Sequence, residues 1–70
     1  MSKKLPIIAK NIKKYRAELD FSQDKLSKMA DVTFHTIAKI ESGATSNPGI
    51  KTMTKIAKAL NVSLDDLVEE

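Results

Sequence analysis

Apolar residues along this chain recur every three or four positions, the spacing of one buried helix face, and do not alternate in the two-residue rhythm of a strand. Ile8, Ile12, Tyr15 and Leu19 make the first stripe and predict a helix over about residues 6–19. Pro6 suits its first turn, where the missing N–H would have had no partner. Ser22 reads as an N-cap whose hydroxyl accepts a free backbone N–H. It opens a second helix, about 23–30, with Leu26 and Ala30 turned inward. Thr33 caps a third, about 34–42, with Ile37 and Ile40 inward and Gly43 as a left-handed stop. Residues 44–49, ATSNPG, have loop composition. A fourth helix, about 50–60, places Ile50, Met53, Ile56, Ala57 and Leu60 on one face. Ser63 caps a last short helix, about 64–68, in which Leu64, Leu67 and Val68 are apolar. The Ser63 to Asp66 spacing is a loose capping box. Met29 and Met53 read as ordinary packing residues. The expected class is all-α: one compact five-helix domain over residues 1–70.

Length and charge narrow the picture. Seventy residues allow one domain at most and a small core. Without cysteine there is no disulfide and no zinc–thiolate site, and nothing ties the chain to an oxidising compartment. The longest apolar run, Ile7-Ile8-Ala9, is too short to span a membrane. The N-terminus lacks the apolar segment of a signal peptide. A cytoplasmic protein is expected, with no membrane partner. The formal net charge is +3, but it is unevenly placed. Lys3, Lys4, Lys10, Lys13, Lys14 and Arg16 crowd the front, against Glu18; Asp65, Asp66, Glu69 and Glu70 close the chain. A basic front and an acidic back suit a polyanion that meets one face, although a lysine-rich solvated surface has the same composition. His35 is the only histidine, so a metal site or a catalytic triad lacks its partners. No glycine-rich phosphate loop is present. No enzymatic activity, metal or cofactor is expected.

The third helix departs from the core pattern. At about 100° per residue, Ile37, Ile40 and Glu41 cluster on one side. His35 and Lys39 lie nearly opposite, with Ala38 and Ser42 beside them, and Phe34 and Thr36 at the borders. The outer face is slim and rich in hydrogen-bond donors. A helix used through such a face must protrude, and a preceding helix packed across it holds it out. That is the mechanical logic of a helix-turn-helix made by the second and third helices.

The residues carry a resemblance as well. SQDKLSKMADVTFHTIAKIESG, residues 22–43, resembles the helix-turn-helix of the five-helix DNA-binding domain of phage repressors and Cro proteins, the Xre-type family. NIKKYR resembles the end of that domain's first helix, and NPGIKTMTKIAKALNVSLDDL its fourth and fifth helices. The resemblance covers nearly the whole chain. It implies that Phe34, His35, Thr36 and Lys39 reach base edges in the major groove. It implies a phosphate contact from Gln23 at the start of the second helix. A second phosphate clamp is implied around Ser46, Asn47 and the start of the fourth helix at Lys51. Ser22, Thr33 and Ser42 complete the phosphate-contacting set. Arg16 and Glu41 match a salt bridge between the first and third helices. Phe34 keeps two readings, sealing the core edge or lying against a thymine methyl.

Four positions depart from the family pattern. Asp20 and Asp31 stand where glycine is usual, at sites expected to need a left-handed backbone that Asp tolerates less well. Ser27 replaces an alanine and is expected to bond back to its own helix. Gly49 replaces a capping serine. A modest stability cost and no change of fold are expected. The function implied is sequence-specific binding of double-stranded DNA as a transcriptional regulator, a dimeric repressor on an inverted-repeat operator. Val62, Leu64 and Val68 are the candidates for the homodimer contact. Regulation is expected through concentration, dimerisation or a regulatory protein partner. The alternative is an antitoxin-like or protein-interaction module that keeps the fold with little DNA binding. The basic front, His35 and Lys39 argue against that.

Overall fold

The computed structural model describes residues 5–45 and 47–69. Among them five helices form and no strand: α1 (Ile7–Glu18), α2 (Gln23–Ala30), α3 (Phe34–Glu41), α4 (Ile50–Leu60) and α5 (Leu64–Val68). The all-α, five-helix expectation holds. Pro6 sits at the N-cap of α1, just outside its first turn, and α3 stops at Glu41 with Ser42 as its cap.

Polar side chains set the helix starts. Ser22 Oγ accepts from the Lys25 N–H at 3.0 Å, and Thr33 Oγ1 accepts from the Thr36 N–H at 3.1 Å. At α5 the capping box is complete: Ser63 Oγ accepts from Asp66 N–H at 3.1 Å, and the Asp66 carboxylate accepts from Ser63 N–H at 2.9 Å. Gly49 gives α4 no side-chain cap, as its missing hydroxyl implies. Asp20 and Asp31 do take left-handed backbone, with φ of 58° and 56°, and Gly43 takes 85°. Asn61, at 60°, ends α4 in the same way and was not foreseen. Ser27 Oγ bonds back to the Asp24 carbonyl at 2.7 Å.

The core gathers one face of every helix. Ile12 of α1, Leu26 and Ala30 of α2, and Ile37 and Ile40 of α3 meet Met53, Ile56, Ala57 and Leu60 of α4 and Leu67 of α5. Helix α2 packs on α3 and α4, while α1 packs on α3 and α5. Three apolar residues expected to pack do not. Leu19 follows the last turn of α1 as its C-cap, where the helix face has ended, and is exposed. Ile50 is the first residue of α4, beyond the reach of the core, and is 68% exposed. Met29 lies on the outer side of α2. Ala9, fully buried, takes a place beside Ile12 that the stripe had not assigned.

Asn11 was also missed. It is buried on α1, and its Nδ2 donates to the carbonyls of Asp66 (3.3 Å), Leu67 (2.8 Å) and Glu69 (2.7 Å). The last carbonyls of a helix have no partner of their own, and α5 has only five residues. One amide from α1, its two protons shared among three carbonyls, therefore covers much of the open end of α5. Asn11→Ala is expected to destabilise the domain by about 1–3 kcal/mol, because buried acceptors lose their donor. Asn11→Asp should be worse, since a carboxylate would face carbonyl oxygens. Urea unfolding checks both; a midpoint unchanged in either variant would show that α5 does not depend on this side chain.

Candidate nucleic-acid interface

Helix α3 shows how its two sides are kept apart. Ile37 and Ile40 are in the core, and Glu41 joins them at 1% exposure. A lone carboxylate there would be costly. Arg16 meets it from α1: Nε donates to Oε2 at 2.8 Å and Nη2 donates to Oε1 at 3.0 Å, a two-pronged fit of guanidinium to carboxylate. The third prong, Nη1, donates to the Phe21 carbonyl at 2.8 Å in the turn before α2. Gln23 Nε2 adds a further donor to Glu41 Oε1 at 3.0 Å. One carboxylate thus ties α1, α2 and α3 together.

With that side held inward, the other side of α3 is turned to solvent. His35 and Lys39 are exposed, Thr36 is half-buried, and Phe34 is 51% exposed. The exposure of Phe34 removes its core-edge reading. His35, Thr36 and Lys39 line a shallow, mainly polar groove with Thr45, Asn47, Gly49 and Thr52, between α3 and the start of α4. The structure therefore brings three of the four base-contact candidates together with one phosphate candidate, Asn47. Thr45 and Thr52 had not been singled out; both are small hydroxyl residues flanking a loop marked by Pro48 and Gly49.

The remaining candidates are placed separately. Ser22 and Thr33 are exposed caps whose oxygens already accept backbone N–H groups. The Thr33 and Thr36 hydroxyls share one bond at 2.8 Å, so one of their two protons is left over. Ser42 donates to the Lys39 carbonyl at 3.1 Å and accepts from the Ala44 N–H at 3.3 Å, which commits its proton. Lys51 is exposed in the first turn of α4, and Lys55 and Lys58 continue that exposed row. Gln23 is held by Glu41, a partner the reading of the sequence did not give it. Ser46 lies outside the described residues. Among the described residues, no helix is long and apolar enough to cross a membrane.

A helix-turn-helix family model matches residues 12–67. SinR of Bacillus subtilis (strain 168), an HTH-type transcriptional regulator, is 33% identical over 64 residues, which is 91% of this chain and 58% of SinR. The chain thus spans little more than half the length of that relative. A solved structure of SinR, described as the master regulator for biofilm formation, in complex with DNA superposes with a TM-score of 0.85. It is 32% identical, and the match covers 89% of this chain and 98% of that one. SinR in its complex with SinI superposes with a TM-score of 0.86 at 33% identity, over 90% of this chain and 61% of that one.

Removing one partner of a buried ion pair typically costs about 3–5 kcal/mol, because the other charge is stranded. Glu41→Ala is expected to fall in that range in urea unfolding, for it strands the Arg16 guanidinium and the Gln23 amide together. A loss below about 1 kcal/mol, the scale of an exposed pair, would contradict the role assigned to Glu41.

Proposed function

The chain belongs to the helix-turn-helix family, and from that premise we propose that it binds double-stranded DNA sequence-specifically as a transcriptional regulator. The observation that carries the proposal is the outward face of α3, where His35, Thr36 and Lys39 stand on a helix whose inner face is fixed by the core and by Glu41. B-form DNA admits a helix into its major groove, where each base pair presents a distinct set of donors and acceptors. The Lys39 ammonium suits the guanine O6 and N7 acceptors, and the exposed Phe34 ring suits a thymine methyl. Gln23, Ser22 and Thr33 at the helix starts, with Asn47 and Lys51 across the groove, are the phosphate contacts that set register. The complex of SinR with DNA supports this reading.

A homodimer on an inverted repeat is the second part of the proposal, acting as a repressor. One recognition helix reads few base pairs, and two-fold pairing doubles the site. The exposed Ile50 and Val68 support it. Together with Ile8, Met53 and Leu64 they line a shallow apolar groove that shares Asn47 and Pro48 with the polar groove at α3. Val62 and Leu64, named earlier for this contact, are half-buried against the core, so the exposed Val68 is the strongest of that set and Ile50 joins it. The SinR complex with SinI supports a regulatory protein as a further partner.

Selection of binding sites from random duplex DNA tests the function: an enriched inverted repeat is expected, and no enriched motif with salt-insensitive binding would contradict it. On the selected site Lys39→Ala should lose about 1–3 kcal/mol of discrimination at one or two base pairs. Lys51→Ala should instead weaken all sequences alike and reduce the salt slope by about 0.9, one phosphate's worth. An unchanged motif for Lys39→Ala would mean that Lys39 does not read bases. Footprinting should show two half-sites roughly one helical turn apart; one protomer at saturation on a single half-site would contradict the dimer.

A further inference from the structure

Gln23, at the start of α2, joins the Arg16–Glu41 pair as a third partner. Glu41 Oε1 accepts from Arg16 Nη2 and from Gln23 Nε2, both at 3.0 Å. An ionised carboxylate only accepts hydrogen bonds. It therefore pairs with the NH2 end of the Gln23 amide and never with the carbonyl end. That chemistry fixes the flip of the amide: Nε2 lies toward Glu41, and Oε1 is on the other side. Arg16 fixes Glu41 in turn, through two bonds of its own and a third to the Phe21 carbonyl. Gln23 is the first residue of α2 and is half-buried, so the amide is held where the free N–H groups of that helix begin.

We propose that Glu41 is a positioning residue for DNA binding, acting through Gln23. With one Nε2 proton given to Glu41, the second is the donor left for a phosphate oxygen, in a side chain already ordered before DNA arrives. The inference rests on the reading of the helix-turn-helix as a DNA-binding unit. It adds that the buried pair at the back of α3 contributes to affinity by presetting one amide at the start of α2, over and above holding the helices together. Ordering a flexible side chain at an interface costs about 0.5–1.5 kcal/mol, so losing the preset geometry should weaken binding roughly two- to twelvefold.

A double-mutant cycle on a selected duplex tests this, using Glu41→Gln, Gln23→Ala and the double variant, each first shown to be folded by circular dichroism. Glu41→Gln alone is expected to weaken binding roughly two- to twelvefold, and to have no further effect once Gln23 is alanine. Arg16→Lys, which keeps the cation and loses the planar fork, gives a second cycle with the same expected pattern if Glu41→Gln does not fold. Nuclear magnetic resonance of the free protein adds an independent readout: the one Gln23 Nε2 proton held by Glu41 should exchange slowly with solvent and lose that protection in Glu41→Gln. Equal losses of affinity with and without Gln23 would overturn the proposal, since Glu41 would then act through the fold alone. Fast exchange of both Gln23 Nε2 protons in the unmodified protein would overturn it as well. If the unmodified chain shows no salt-dependent binding to any duplex, the DNA-binding reading itself fails, and the positioning role falls with it.

Discussion

A single buried carboxylate organises this domain. Glu41 has almost no access to water, and Arg16 and Gln23 supply three hydrogen bonds to its carboxylate. Those donors come from α1 and α2, while Glu41 itself ends α3. The rotation of α3 about its own axis is therefore set at one point. A quarter-turn would pull Glu41 away from Arg16 and expose Ile37 and Ile40 together. Buried ion pairs are weak contributors to net stability, since desolvation offsets much of their attraction; what this one supplies is a fixed geometry linking three helices. Here the geometry specified is which face of α3 meets solvent, and that face carries His35, Thr36 and Lys39.

The rest of the structure makes such a small core workable. Ten buried apolar side chains form one cluster fed by all five helices. The helix ends, which leave backbone groups unpaired, are closed by side chains: Ser22, Thr33 and the Ser63–Asp66 box at starts, Asn11 at the end of α5. Asp20, Asp31 and Asn61 accept left-handed backbone where glycine would be less strained. Asp31 and Asn61 follow directly on α2 and α4, and Asp20 follows the Leu19 cap of α1. Short turns keep α2 across α3, and the protruding face depends on that packing.

The helices and the deepest core were legible because period alone decides them. Leu26, Ile37 and Ile56 sit mid-helix, where any residue on the inner arc must meet a neighbour. Period says nothing about where a neighbour ends, which is why Leu19 and Ile50, at helix limits, were placed inward and lie outside. Met29 fails for a related reason: an apolar residue on α2 has no inward duty when Leu26 and Ala30 already fill that side. Asn11 was invisible because its acceptors lie more than fifty positions along the chain. The outward set on α3 followed from the helical wheel, and the exposure of Phe34 resolved a border position that the wheel left open. Gln23 was read only as a surface contact, since nothing in a linear pattern shows a side chain bonding to a carboxylate eighteen positions away.

In the proposed function, the fixed outer face of α3 is the surface that meets DNA. Titration of a selected duplex into isotope-labelled protein, followed by the shifts of its backbone amide resonances, tests it most directly. The largest changes are expected from Phe34 to Lys39, at Ser22 and Gln23, and at Asn47, Gly49 and Lys51, with α5 little affected except where a second copy docks at Val68. Changes concentrated on α5 and the outer side of α1, with α3 unmoved, would contradict it.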